Sequence, residues 1–127
     1  IAWYAAQRAT PEEVDWILRC GREEERLILQ GKDRTAAEDA FHQAITRAAH
    51  NPYLERLMPM IYEAIHSGVR LSVNDQVLVQ DTLQDHRMIM EFIEAGDAEG
   101  AQAAMQLHLR HAMLRFGLLG QDKKEKS

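Results

Sequence analysis

The chain has one cysteine, Cys20, so no disulfide within it can staple the fold, and a lone thiol suits a reducing cytoplasm. It has no run of apolar residues approaching membrane-spanning length. No basic stretch leads an apolar one at the N-terminus, so neither a membrane helix nor a signal peptide is expected. A formal charge of −5 removes the basic footprint that nucleic-acid binding by these residues would need. Glycine-rich phosphate loops, cysteine pairs and a serine on a nucleophile elbow are all missing. Aromatics are few, and β-branched runs are confined to the neighbourhoods of Val69 to Val73 and Val77 to Val79. What remains is abundant Ala, Leu, Met, Glu and Gln, the composition of helices. The 127 residues suffice for one domain with a real core.

Local punctuation divides the chain into about six helices. The opening residues read as the end of a truncated helix, and the first residue is Ile1, so the chain is expected to be a piece of something longer. Thr10, Pro11 and Glu13 form a capping-box start, and Gly31 stops that second helix. A third helix is predicted over residues 33–50, and Asn51-Pro52 opens a fourth that Pro59 should kink. Residues 67–76 read as a loop, residues 80–95 as a fifth helix and 97–119 as a sixth. Short connections favour antiparallel neighbours, so the fold class is an all-α antiparallel bundle. Residues 1–120 form one helical domain, and 121–127 a charged tail expected to be disordered.

The informative residues are histidines. His86 and His108 flank the turn signal Gly96-Asp97 at nearly equal distances, about 10 to 12 residues. On two antiparallel helices both then lie about 15–17 Å from the corner, at one level. His86 shares a helical face with Leu83, Ile89, Met90 and Ile93; His108 shares one with Ala101, Ala104, Met105 and Ala112. His42 lies one turn after Glu38 on a third stripe with Ile45 and Ala49. Any one inward histidine is ordinarily a satisfied core residue. Three that can meet, with one carboxylate, make a ligand set suited to a divalent transition metal such as zinc or nickel. Glu38 is the first choice of carboxylate and Asp39 the alternative; Glu38 can equally close a capping box with Thr35. His50, His66 and His111 read as helix-end or off-stripe residues. Arg70 and Arg87 are candidate anchors for an anionic ligand, with solvated surface arginine as the competing reading for each.

With those residues in place, the chain resembles the FCD domain, the effector-binding domain of FadR-subfamily GntR-type bacterial transcription regulators. The resemblance runs through Glu38-Asp39-Ala40-Phe41-His42, Ala49-His50-Asn51-Pro52-Tyr53-Leu54 and Asp85-His86-Arg87-Met88-Ile89. It continues through residues 93–101 and Met105-Gln106-Leu107-His108-Leu109, covering nearly the whole chain. It implies a metal held by Glu38, His42, His86 and His108, with Glu38 standing where most members have Asp. It further implies a small organic acid effector, a homodimer, and operator DNA bound only through an N-terminal winged helix that these residues do not include. A cytoplasmic sensor rather than an enzyme is expected. Two other readings stay open: a hydrolase-like metalloenzyme using the same site, and a metal-free bundle taking an apolar acid into a pocket lined by Met58, Met60, Met88, Met90 and Met105.

Overall fold

The computed structural model of the chain describes the backbone of residues 1–71 and 76–115 and the side chains of residues 1–64 and 79–114. Six helices make up the described residues: α1 (Ala2–Arg8), α2 (Pro11–Leu29), α3 (Thr35–Ala48), α4 (Pro52–Leu71), α5 (Gln76–Glu94) and α6 (Ala98–Arg115). The all-α expectation holds, and no strand occurs among the described residues. None of their helices is long and apolar enough to cross a membrane.

The helix ends follow from local chemistry. Glu13 N–H donates to Thr10 Oγ1 at 3.2 Å and Thr10 N–H to Glu13 Oε1 at 2.9 Å, completing the capping box of α2. Asn51 Oδ1 accepts from the backbone of Tyr53 and Leu54 at the start of α4. Gly31 and Gly96 adopt φ of 67° and 70°, a left-handed turn that a Cβ disfavours. At Gly96 the Asp97 N–H returns to the Phe92 carbonyl, closing α5 and reversing the chain into α6.

Some boundaries differ from the pattern reading. Helix α3 begins at Thr35, because Asp33 Oδ1 takes both the Thr35 N–H and its hydroxyl and holds residues 33–34 out of the helix. Thr35 is therefore not a cap, and Glu38 does not close a capping box. Helix α5 starts four residues before the expected Gln80, and the β-branched stretches at Val69 and Val77–Val79 lie in helix, context overriding weak propensity. Pro59 sits inside α4 without ending it. The expected loop centre at residues 72–75 and the charged tail at 121–127 lie outside the described residues.

The bundle is built by α5 against α6, α2 against α3 and α5, and α1 against α6 and α3. Ile17, Phe41, Ile45, Ile89 and Ile93 are fully buried where these helices meet. Small residues allow close approach: a Cβ on Gly21 would stand 2.4 Å from the Met90 sulfur and 3.0 Å from the Phe41 ring. This packing draws α2, α3, α5 and α6 around one point, and that point is polar. Glu24, Glu38, His42, Asp85, His86 and His108 are all buried there. The methionines are dispersed: Met58 lines a cavity against α3, and Met90 a groove between α2 and α5. Met90 is core, Met88 and Met105 pack against the core, and Met60 is exposed.

A candidate metal centre

Three helices deliver the predicted histidines to one place. The equal spacing about Gly96 brings His86 Nε2 of α5 within 3.3 Å of His108 Nε2 of α6. From α3, His42 Nε2 lies 2.8 Å from Glu38 Oε1, its neighbour one turn back, and that oxygen is 3.8 Å from His86 Nε2. The rings of His42 and His108 stack at 5.6 Å with an 11° tilt. One ligand atom each from Glu38, His42, His86 and His108 lies within 4.8 Å of the others, and all four residues are buried. Asp39, the alternative carboxylate, accepts from Gln43 and is not among the four.

The donor set fits a divalent cation. Atoms about 2.0–2.2 Å from a common tetrahedral zinc stand roughly 3.4 Å apart, comparable with the separations seen here. His86 and His108 face each other nitrogen to nitrogen, and two imidazole lone pairs at that range repel unless a proton or metal lies between them. The charges also suit ligation. Burial pushes His86 well below its usual pKa, with Glu38 opposing, the direction that favours the unprotonated ring a metal takes. Burial works against ionisation of Glu38, but His86, a hydrogen bond with Glu24 and His42 outweigh it and hold the carboxyl well below the usual range.

Around these four lies a set of groups that pattern reading did not join to the site. Glu24 of α2 is fully buried, and burial, then the negative charge of Glu38, push its pKa up to about 11 against the pull of Arg34. Arg34 Nη1 bridges the two acids, 2.8 Å from Glu24 Oε2 and 2.9 Å from Glu38 Oε2. Glu24 Oε1 stands 2.9 Å from His86 Nδ1 and makes no hydrogen bond. Asp85 Oδ2 lies 3.2 Å from His108 Nδ1 and 2.8 Å from His111 Nδ1, so His111 belongs to this network although it is off the inner stripe. Glu24 did carry a signal: it falls on the stripe of Ile17, Gly21 and Ile28, a charged residue where the pattern wants an apolar one. Nothing in the sequence marks Arg34.

Tyr62 of α4 closes the α3 side. Its hydroxyl donates to the His42 carbonyl at 2.9 Å and lies 2.6 Å from Thr46 Oγ1. A cavity of about 200 Å³ opens beside it, lined by Gln43, Thr46, Arg47, Met58 and Pro59. Burial raises Tyr62 from 10.0 to about 12, so its contribution to stability is present below pH 10 and is lost as pH rises from 10 to about 12. Over that window the wild type should lose on the order of 2–3 kcal/mol more than Tyr62→Phe. Urea unfolding of both at the two ends of the window checks this; parallel losses would contradict it.

The remaining candidates lie elsewhere. Arg87 is exposed on α5, ion-paired with Glu25, and faces a surface groove of about 530 Å³ between α2 and α5. The side chains of Arg70 and His66 lie outside the described residues. His50, read as a helix-end residue, places Nε2 2.8 Å from Glu13 Oε1.

The family model of the FCD domain matches residues 1–111. The chain belongs to the FCD domain family. Its relatives are operon regulators of the GntR type. The FCD domain is 34% identical over 113 residues to the putative L-lactate dehydrogenase operon regulatory protein of Escherichia coli, across 85% of this chain and 43% of that protein. It is 30% identical over 109 residues to the galactonate operon transcriptional repressor of the same organism, across 82% and 46%. It is 26% identical over 114 residues to the HTH-type transcriptional regulator LutR of Bacillus subtilis, across 86% and 52%. The FCD domain thus spans about half the length of the curated relatives it matches.

Proposed function

We propose that this FCD domain is the metal-dependent sensor of a bacterial transcription regulator, with Glu38, His42, His86 and His108 holding zinc or nickel. The reading is carried by the buried meeting of three imidazoles from three helices with one carboxylate. Such a cluster is costly to bury without a shared partner. A metal ion there supplies a positive charge that a carboxylate ligand can join. The effector class is a small organic acid; the lactate and galactonate in the names of two relatives are of that class. Arg70 and Arg87 are the candidate second contacts for its carboxylate, and an acid reaching Arg87 must compete with Glu25.

The residues of this chain bind and orient: among the described residues the acids beside the four ligands, Glu24 and Asp85, are engaged by Arg34 and by His108 and His111. Regulation follows from differential affinity. An acid that prefers one arrangement of the bundle and of a homodimer shifts the population toward it, and so changes how an N-terminal winged helix meets operator DNA. The test is calorimetric titration of lactate and galactonate into metal-loaded and chelator-stripped protein. Binding of at least one acid to the loaded form, weakened at least tenfold by stripping, is expected; equal binding to both forms would contradict metal dependence.

A further inference from the structure

Glu24 is not explained by the four converging residues. It enters from the middle of α2 as a fully buried acid, and one oxygen, Oε2, suffices for Arg34. The other, Oε1, makes no hydrogen bond yet lies 2.9 Å from Nδ1 of His86. Across the site, His108 shows the completed form of the same arrangement, with Nδ1 on Asp85 and Nε2 in the cluster. A neutral imidazole carries one ring proton, and the group against one nitrogen decides which nitrogen holds it. A carboxyl oxygen at Nδ1 draws the proton there and leaves the Nε2 lone pair turned toward the cluster. Oε1 accepts when the carboxyl is ionised and, in the neutral acid, when the proton sits on Oε2, the oxygen left for the hydrogen bond to Glu38. A small turn of the ring aligns the bond and satisfies an oxygen that is otherwise orphaned.

The geometry points to Glu24 as the positioning residue of His86, fixing its ring with Nδ1 protonated and Nε2 free for a metal ion. The inference rests on the metal-binding reading above, and zinc uptake by the wild type is measured first so that the two can fail separately. Long-range proton–nitrogen correlation spectra of the zinc-loaded chain then report which nitrogen of His86 carries the proton, free of the proton that His86 and His108 share at 3.3 Å without metal. The wild type should show Nδ1–H. Glu24→Leu should shift His86 toward Nε2–H and weaken zinc binding, read by competition with a chromophoric chelator, by about 10–100-fold. Glu24→Gln, whose amide oxygen can replace Oε1, should keep the wild-type form. Glu25→Leu, one residue on and paired with Arg87 at the surface, should change neither reading.

An Nε2–H form of His86 in the wild type would overturn the assignment, and so would a folded Glu24→Leu chain with unchanged tautomer and zinc affinity. The wild-type spectrum judges the assignment even where Glu24→Leu does not fold. A wild type that takes up no zinc would overturn the metal reading, whereas one that binds zinc as tightly after Glu24→Leu would overturn the role of Glu24 alone.

Discussion

Chelation is expected to lower the melting temperature of this FCD domain by roughly 10–20 °C, the shift for a domain of this size when about 4 kcal/mol of ligand stabilisation is withdrawn. That energy corresponds to free metal about a thousandfold above its dissociation constant. The structural reason is the contact of His86 Nε2 with His108 Nε2 at 3.3 Å, next to the carboxylate of Glu38. Without a cation these groups can trade only a proton or two among themselves; with one, all four donors point at a common positive charge. Thermal scans with and without chelator, with metal content measured in both samples, check this. An unchanged melting temperature after verified removal would contradict it.

Arg34→Ala should destabilise the fold by about 3–5 kcal/mol, the range for breaking a buried ion pair from one side. Arg34 is almost enclosed, its side chain 11% exposed, and it is the cation bridging Glu24 and Glu38, which are 0% and 4% exposed. Removing it leaves two acids in a low-dielectric site with only histidines to answer them. Both contacts come from the single nitrogen Nη1, so they do not need the full guanidinium fork, and Arg34→Lys should recover part of the loss. Exposed pairs such as Arg19–Asp15 make the control, since breaking one should cost at most about 1 kcal/mol. Urea unfolding separates these outcomes. An Arg34→Ala domain as stable as the wild type would show that the buried acids do not need this cation.

Much of this was legible in the sequence, because it depends on local rules. The capping box at Thr10–Glu13, the Asn51-Pro52 start and the stop at Gly96 act within a few residues of themselves. The meeting of His86 and His108 needs only a helical rise and a turn placed midway, and both are written in the spacing. The family match over residues 1–111 agrees with the resemblance carried by the same fragments. The features that were not legible belong to tertiary neighbours. Glu24 falls on the inner stripe of α2, but its place within Arg22-Glu23-Glu24-Glu25-Arg26 masks that signal as part of a charged run. Only its partners, Arg34 from the start of α3 and His86 from α5, make one of those acids an inward residue. Asp85 is likewise a plain helix acid until His108 and His111 arrive from α6. Local pattern fails where a polar site interrupts the apolar core, which is where such failures are expected.

The most direct measurement of the central claim is metal content by elemental analysis of the purified chain, after loading with zinc or nickel and exhaustive dialysis, beside His86→Ala, His108→Ala. One ion per wild-type chain, absent from a folded double variant, is predicted. A wild type that retains no stoichiometric metal, or a double variant that retains it fully, would contradict the account.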